Sequence, residues 1–228
     1  MKNSIVVIPA YNEELTIKEV VSRSLKYADV CVVNDGSKDR TEEIVNSIHG
    51  VKCITHTSNT HIPKAIIDGM QYAFEHGYNF VITMDAGLSH SPEELAGFIN
   101  APYSDLVLGV RVQRENVPIY RKVLSKAATL LISFSLRPFG SNLPKAKFAD
   151  ATSGFRRYSR KSVELLLNRQ MKAKSFDFHT EALMFVYRNG LKISELPITY
   201  LFTNSSLNKS VILDSISMLL DFLFRRRK

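Results

Sequence analysis

Apolar runs of strand length alternate with helical patterns through the first half of the chain. This alternation constrains the fold more than any other feature, because parallel strands need crossover connections, which are usually helices. Five runs are predicted to be strands: Ile5 to Ile8, Val30 to Val33, Val51 to Thr55, Phe80 to Met84 and Asp105 to Gly109. The pattern therefore predicts an α/β fold with a mostly parallel sheet flanked by helices.

Residues that favour helix starts follow the predicted strands. Asn12 is predicted to cap a helix that continues to about residue 26. Asp39 is predicted to begin a second helix, with Glu42 three residues later completing a capping box. Pro63 fits the first turn of a third helix, which is expected to end near residue 76.

The second half of the chain is less regular. Ser91 and Pro92 are predicted to begin a short helix, and a long helix is predicted from about Pro118 to Phe139. A polar loop and two helices follow, then a strand from Ile193 to Phe202 and a last helix from Val211 to Phe224. Since 228 residues with 45% apolar content suffice for one core, and no linker is evident, a single domain covering residues 1–228 is expected.

The charge and the cysteines restrict the partners and the compartment. A formal net charge of +8 indicates an anionic partner, but no nucleic-acid-binding signature occurs, so nucleic acid is disfavoured. Cys31 and Cys53 lie in strand-like segments and are expected to be small buried residues, neither a disulfide nor a metal pair. The amino terminus lacks a signal-peptide pattern, which favours a cytoplasmic protein.

Polar segments directly follow three of the predicted strands, where parallel sheets bind ligands. They are Pro9 to Glu14, Asn34 to Ser37, and Asp85 to His90. Each segment alone reads as a turn or a helix cap. Together they predict oxygen ligands and an aromatic face at one sheet edge, which suits a nucleobase, a ribose and a metal-bound diphosphate.

Several motifs carry a resemblance to a known family. The motifs are spread over nearly the whole chain, and their order and spacing make the resemblance specific. They are Ile8 to Glu14, Val33 to Thr41, Met84-Asp85, Leu108 to Arg111, Arg121 with Ser125, Thr152 to Arg156, Glu195 to Ile198, and Lys209. The chain resembles the family 2 glycosyltransferases of the Rossmann-like GT-A fold. Within that family it is similar to the polyprenol-phosphate (dolichol-phosphate) mannosyl- and glucosyltransferases.

The resemblance implies roles for individual residues. The nucleobase and ribose would contact a set of residues in the first two loops: Pro9, Ala10, Tyr11, Glu13 and Asp35. Asp85 matches the first aspartate of the Asp-X-Asp motif, which binds Mg²⁺ or Mn²⁺ and the diphosphate. Arg111, Arg121 and Ser125 match positions that handle an acceptor phosphate. Lys209 would lie on a loop that closes over the donor.

The resemblance also places Arg156 and Glu181 among the substrate-binding residues. The role of Glu181 is open, and with Asp177 it is the candidate general base that a hydroxyl acceptor would need. A phosphate acceptor needs no such base, because its second pKa is about 6 and it arrives largely dianionic.

Two departures from the family pattern affect the donor site. The second motif aspartate is Gly87 here, so one anionic ligand is missing and weaker metal binding is expected. Ser89 or His90 is a candidate replacement, although His90 also fits a cap for the following helix. Thr203 stands where the closing loop usually has an arginine, which leaves the diphosphate less well neutralised.

Two helices are candidates for membrane contact. The last helix has an apolar stripe and runs into a basic tail, which together cover residues 211–228, and the helix near residues 120–139 is similarly apolar with flanking cations. Both suit an anionic membrane surface and a peripheral protein on its cytoplasmic face. No apolar run reaches the roughly 20 residues that span a bilayer.

Three functions remain in competition. The first is an inverting transferase that moves a hexose from a UDP- or GDP-sugar to a polyprenyl phosphate. The second uses a sugar hydroxyl as acceptor in cell-surface polysaccharide synthesis. The third is a catalytically weak nucleotide-sugar-binding protein, motivated by Gly87 and Thr203. The sugar, the base and the oligomeric state stay open at this point.

Overall fold

The computed structural model describes residues 3–135 and 147–202 of the chain. Seven strands in these residues form one sheet: β1 Ser4–Ala10, β2 Asp29–Asn34, β3 Val51–Thr55, β4 Phe80–Thr83, β5 Leu106–Glu115, β6 Arg156–Ser159 and β7 Ile193–Leu201. Their order is β3-β2-β1-β4-β6-β5-β7. Only β6 runs antiparallel to its neighbours, β4 and β5. The predicted α/β fold with a mostly parallel sheet is confirmed.

Helices cover both faces of the sheet. The described ranges contain α1 Ile17–Ser24, α2 Thr41–Asn46, α3 His61–Glu75, α4 Leu95–Asn100, α5 Ile119–Ser135, α6 Arg160–Leu167 and α7 Asp177–Arg188. A short 3₁₀ turn, Pro92–Glu94, leads into α4, as Ser91 and Pro92 predicted. The predicted last helix and the end of the predicted long helix lie outside the described residues.

The apolar run of β1 is explained by burial on both sides. Ile5 and Val7 pack in one cluster with residues of α3, α6 and α7. Val6 and Ile8 point to the other face and pack with residues of α1 and α4. A strand covered on both faces has no polar side, so its sequence is apolar throughout rather than alternating.

The start of α1 differs from the prediction. Asn12 does not cap a helix, because it has a φ of 56° and α1 begins only at Ile17. Its Oδ1 instead accepts a hydrogen bond from the Lys38 amide at 2.8 Å. The side chain thus joins two loops, and the four residues between it and α1 form a turn.

The capping box predicted for α2 is also wrong. Asp39 Oδ1 accepts from the Thr41 amide at 3.0 Å, so it does bond the first residue of α2. Glu42 does not turn back toward the helix start, because its Oε1 accepts from Thr55 Oγ1 at 2.8 Å. Glu42 therefore bonds Thr55 on β3 instead of the backbone amide at the start of α2.

Pro63 lies in the first turn of α3, as predicted. The two cysteines are free, which agrees with the prediction against a disulfide. Burial raises the pKa of the Cys31 thiol to about 12. The expectation of burial is wrong for Cys53, which is only half-buried because β3 is the edge strand of the sheet.

Candidate active site

The predicted nucleotide residues lie where the strand order reverses. From β1 the chain adds β2 and β3 on one side, and then β4 on the other side of β1. Pro9 and Ala10 end β1, and Tyr11, 44% exposed, follows them. Asp85 follows β4 next to this strand. Such switch points open a crevice at the carboxyl ends of the strands.

The loop after β1 is fastened to the loop after β2. Three of its backbone amides donate to side-chain oxygens across the gap: Asn12 to Ser37 Oγ (3.0 Å), Glu13 to Thr41 Oγ1 (2.8 Å) and Glu14 to Asp39 Oδ2 (3.1 Å). These bonds satisfy amides that a loop would otherwise leave to water, and they hold the two predicted nucleoside-binding loops in one arrangement.

Glu13 and Asp85 belong to one electronegative patch. Burial raises the pKa of Glu13, the hydrogen bond from Thr16 opposes this rise, and the negative charges of Asp85 and Asp39 add to it. Neighbouring carboxylates of this kind attract a cation.

Asp35 is buried, with 4% of its surface exposed, and its protein partners all contact one carboxylate oxygen, Oδ1. Its Oδ1 lies 2.7 Å from His56 Nδ1 and accepts from the amide and the hydroxyl of Thr60 at 2.8 and 2.7 Å. Burial alone would raise the pKa of Asp35, but the hydrogen bonds from His56 and Thr60 outweigh it and lower the pKa. Asp35 is therefore a fixed carboxylate anion at neutral pH.

Next to Asp85 lies a histidine without hydrogen bonds. His90 is 2% exposed, and its Nδ1 lies 3.4 Å from Asp85 Oδ2. Neither ring nitrogen makes a hydrogen bond within the described part of the chain. Burial lowers the pKa of His90, so the ring is neutral near pH 7. The expectation that His90 caps the next helix is wrong, because Ser91 occupies the N-cap position.

A neutral imidazole and a carboxylate at this separation suit a divalent cation that takes its other ligands from a diphosphate and water. Residues 3–135 and 147–202 contain no group of three or more His, Cys, Asp or Glu side chains placed to hold a metal by themselves. Gly87, which replaces the motif aspartate, leaves the space beside it open.

The structure brings Arg111 and Ser125 together, as predicted. Arg111 forms a two-pronged pair with Asp150, at 2.6 Å from Nε and 2.9 Å from an Nη atom, and also contacts Ser125 Oγ (3.2 Å) and Thr152 Oγ1 (2.6 Å). Burial opposes the charge of Arg111, but Asp150 outweighs this effect and raises its pKa. The guanidinium also lies over the ring of Tyr200.

A cavity of about 310 Å³ opens beside Arg111. Its lining consists of Arg111 together with Lys122, Ser125, Lys126, Thr129 and Ala149. The cavity adjoins the metal candidate, because Tyr200, which lies under Arg111, also packs against His90 with ring centroids 5.3 Å apart. Tyr200 therefore connects the predicted metal residues with the residues that line the cavity.

Arg156 does not meet the expectation that it binds substrate. The side chain is fully buried, and its nitrogens donate to the backbone oxygens of Ser153 (2.7 Å), Ala151 (2.8 Å) and His179. Burial lowers its pKa. Its position corrects the prediction: Arg156 holds the turn that carries Asp150 and Thr152, and so positions Arg111 indirectly.

Glu181 is likewise buried and bonded to backbone. Its Oε2 accepts from the amides of Lys172 and Ala173, both at 2.8 Å. Asp177 is bonded in the same way by the amides of Lys174 and Ser175. Both carboxylates hold the loop before α7, which corrects the expectation of a direct substrate contact or a base role.

Two predicted residues are not described. Arg121 lies on α5, but its side chain is outside the described part of the structure, and Lys209 lies beyond residue 202. Their assigned roles stay predictions.

Several site residues were missed at the sequence level. Lys122 and Lys126 line the cavity, and they form one face of α5 with Ser125 and Thr129, because positions three and four apart are neighbours on a helix. This spacing could have identified the polar face of the helix from the sequence. His56 and Thr60 gave none, since only the folded chain brings them to Asp35.

Two named glycosyltransferases are similar in sequence to most of the chain. The UDP-N-acetylglucosamine–dolichyl-phosphate N-acetylglucosaminyltransferase of Methanococcus voltae is 31% identical over 88% of this chain and 86% of its own length. The undecaprenyl-phosphate mannosyltransferase of Micrococcus luteus is 30% identical over 85% of this chain and 82% of its own length.

Solved structures agree in fold. Glucosyl-3-phosphoglycerate synthase of Mycobacterium tuberculosis, in complex with Mn²⁺, UDP-glucose and phosphoglyceric acid, superposes with a TM-score of 0.72 at 19% identity. The match covers 98% of this chain and 80% of that one, and shows the GT-A-like fold. The family model described as Glycosyl transferase family 2 matches residues 5–167. The chain is an enzyme that belongs to glycosyl transferase family 2.

Proposed function

We propose that this glycosyltransferase moves a hexose from a UDP- or GDP-linked donor to a polyprenyl phosphate, with inversion at the anomeric carbon. The observation that carries the proposal is the cavity beside Arg111, which Lys122 and Lys126 line together with the hydroxyls of Ser125 and Thr129. Cations and hydroxyl donors suit a phosphate monoester. The polyprenyl-phosphate relatives support the same acceptor class.

The carboxylates favour a phosphate acceptor over a hydroxyl. A hydroxyl nucleophile needs a base, and the two predicted candidates, Asp177 and Glu181, are buried and have oxygens bonded by backbone amides. Asp150 is paired with Arg111. A phosphate dianion needs cations instead, since its second pKa is about 6.

The transfer step balances without an added base. A phosphate oxygen of the acceptor attacks the anomeric carbon from the face opposite the nucleotide. The bond from that carbon to the β-phosphate oxygen breaks, and the nucleoside diphosphate leaves with the electron pair. Arg111 and the two lysines hold the nucleophile, while the loops after β1 and β2 hold the nucleoside.

Asp85 and His90 would hold the divalent cation, and its chemistry is to neutralise the charge that develops on the leaving diphosphate. The Mn²⁺ and Mg²⁺ complexes of structural neighbours support this expectation. The arrangement of Asp85 and His90 compensates in part for the absence of a carboxylate at Gly87.

We also place the enzyme on an anionic membrane surface at the cytoplasmic face, as a peripheral protein. The exposed side of α5 carries large apolar side chains: Ile119, Tyr120, Val123, Leu124, Leu130 and Leu131. Lys122 and Lys126 lie on the adjoining face of the same helix, which lines the cavity, and this arrangement of apolar and cationic faces supports contact with lipid tails and anionic headgroups. The helices among the described residues include none with the length and apolarity of a membrane span.

The acceptor assignment is tested by comparing a short prenyl phosphate with the matching prenol. Transfer is expected to the phosphate alone. In the Lys122→Ala/Lys126→Ala variant the acceptor KM is expected to rise roughly ten- to a hundredfold, with the donor KM nearly unchanged, because charge-assisted contacts are lost. Lys18→Ala, an exposed lysine on α1, is the control.

Transfer to the prenol or to a sugar hydroxyl, with normal acceptor kinetics in the lysine variant, contradicts the assignment. In that case Glu195 is the carboxylate to test as a base. It is exposed, and its Oε1 accepts from the amide of Ala149 in the cavity wall at 2.7 Å. Loss of the hydroxyl transfer in Glu195→Gln would then support the second function.

A further inference from the structure

The two carboxylate oxygens of Asp35 have different surroundings. Oδ1 receives three contacts, from His56 Nδ1 and from the amide and hydroxyl of Thr60. No donor among the described residues bonds Oδ2. A carboxylate oxygen has two lone pairs, so Oδ1 is saturated by the protein. Oδ2 alone is left to accept from a ligand.

The surrounding groups prevent Asp35 from turning to offer both oxygens. His56 Nε2 lies 2.9 Å from Asp68 Oδ2, so the ring bridges two carboxylates, and Asp68 is paired in turn with Lys64. Gly36 has a φ of 72°, and a Cβ at this position would lie 2.6 Å from the backbone of Ser58. The loop carrying Thr60 therefore packs directly against the residue after Asp35.

The nucleobases differ in what they offer to a carboxylate. Uracil has one ring N–H between two carbonyl groups, and needs one accepting oxygen. Guanine has two adjacent donors, a ring N–H and an amino group, which match both oxygens of a carboxylate in a two-pronged pair. The corresponding ring nitrogen of cytosine carries no proton and can only accept.

We infer that the saturation of Asp35 Oδ1 by His56 and Thr60 makes the site select uracil over guanine, so that the donor is a UDP-linked sugar. The inference rests on the proposed function, in which the loop after β2 binds the nucleoside, and Asp35 is the residue of that loop taken to contact the base. Guanine at this position would have to direct both of its donors at Oδ2, which bends and weakens both hydrogen bonds relative to a two-pronged pair. His56 and Thr60 act through Asp35 and are positioning residues.

Calorimetric titration of the full chain with UDP, GDP and CDP, at one fixed Mn²⁺ concentration, tests the inference. The three ligands share the diphosphate, so the contribution of Mn²⁺ to the binding free energy is the same for all three. UDP is expected to bind about tenfold or more tightly than GDP, with CDP weaker than UDP. GDP binding as tight as UDP would overturn the inference, and CDP binding as tight as UDP would overturn the N–H contact itself.

The variant His56→Leu/Thr60→Val isolates the mechanism. It leaves only the Thr60 amide on Oδ1, so a lone pair becomes available and the ratio of GDP to UDP dissociation constants is expected to fall at least about threefold. A purely structural role would weaken both nucleotides equally and leave the ratio unchanged, which contradicts the mechanism. His49→Leu, at an exposed position after α2, is the control. If the double variant does not fold, the wild-type titrations still decide.

Transfer assays separate this inference from the proposed function. Transfer of hexose to prenyl phosphate from a GDP-sugar but not from the matching UDP-sugar would overturn the base selection and leave the acceptor assignment intact. Selective UDP binding without transfer to prenyl phosphate from any donor would support the base selection and overturn the acceptor assignment.

Discussion

At the scale of single residues, Gly87 gives the sharpest prediction. A Cβ at this position would meet no atom within 4 Å, and the backbone φ lies outside the left-handed region. We expect Gly87→Asp to fold normally and to tighten Mn²⁺ binding, because it adds a carboxylate near Asp85. Mn²⁺ titration followed by electron paramagnetic resonance measures the effect. Asn46→Asp, an exposed position on α2, controls for added charge.

His90 is tested by the converse change. Phenylalanine keeps the ring packing against Phe155 and Tyr200 but removes both nitrogens. We expect His90→Phe to weaken Mn²⁺ binding in the presence of nucleotide while the free energy of unfolding stays equal or rises, since two unpaired buried nitrogens disappear. Unchanged metal affinity would make His90 an ordinary core residue.

Site residues differ in how far the sequence reveals them. Asp35 and Asp85 directly follow predicted strands, and their placement at one sheet edge followed from topology alone. Arg156 and Glu181 sit in motifs that look functional, yet they are buried and bond backbone. Whether a charged side chain points into a crevice or beneath it depends on packing, which the order of residues does not encode locally.

At the scale of elements, β6 shows why one strand escaped prediction. Runs of strand-like residues predicted β1 to β5, but β6 reads Arg156, Arg157, Tyr158 and Ser159, all buried. Arg157 is tolerated inside because its guanidinium donates to the carbonyls of Phe98, Ala101 and Pro102, and it lies over the ring of Phe80. Two arginines in a central strand depart from the usual apolar pattern, and they are accommodated because backbone carbonyls accept from both guanidinium groups.

The contact of α3 with β1 leads to a stability prediction. A Cβ at Gly69 would lie 2.3 Å from Val7 Cγ1. Gly69→Ala is therefore expected to destabilise the fold by about 1–3 kcal/mol, because the helix must move away from the sheet. Urea unfolding measures the loss. Val7→Ala in the same chain should recover part of it, whereas simple additivity of the two changes would contradict the contact.

At the scale of the whole molecule, α5 predicts salt-sensitive binding to anionic vesicles. Leu130→Asp/Leu131→Asp places charge on its exposed apolar side and is expected to shift the protein from vesicles to the soluble fraction in a flotation assay. Leu15→Asp, 93% exposed outside α5, is the control. Equal flotation of all three proteins, or none by the unaltered chain, would contradict the membrane contact.

A separate prediction concerns the predicted last helix and basic tail, and it rests on the sequence alone. Removal of residues 211–228 takes away an apolar stripe and four terminal cations. The truncated protein is expected to shift from anionic vesicles to the soluble fraction, since each cation near an anionic surface contributes about 1 kcal/mol. Nucleotide binding measured by calorimetry is expected to stay unchanged, and a parallel loss would contradict this assignment.

The place of β6 in the sheet also imposes an order on folding. It lies between β4 and β5, both of which precede it in the chain. As the chain leaves the ribosome, β1 to β3 meet all their sheet neighbours and β4 meets β1 within the first 83 residues, while β5 waits for residues 156–201 to supply both of its partners. The strands that carry the proposed nucleotide site are therefore expected to pair first during synthesis, and β5, which carries the proposed acceptor site, joins them only when β6 is made.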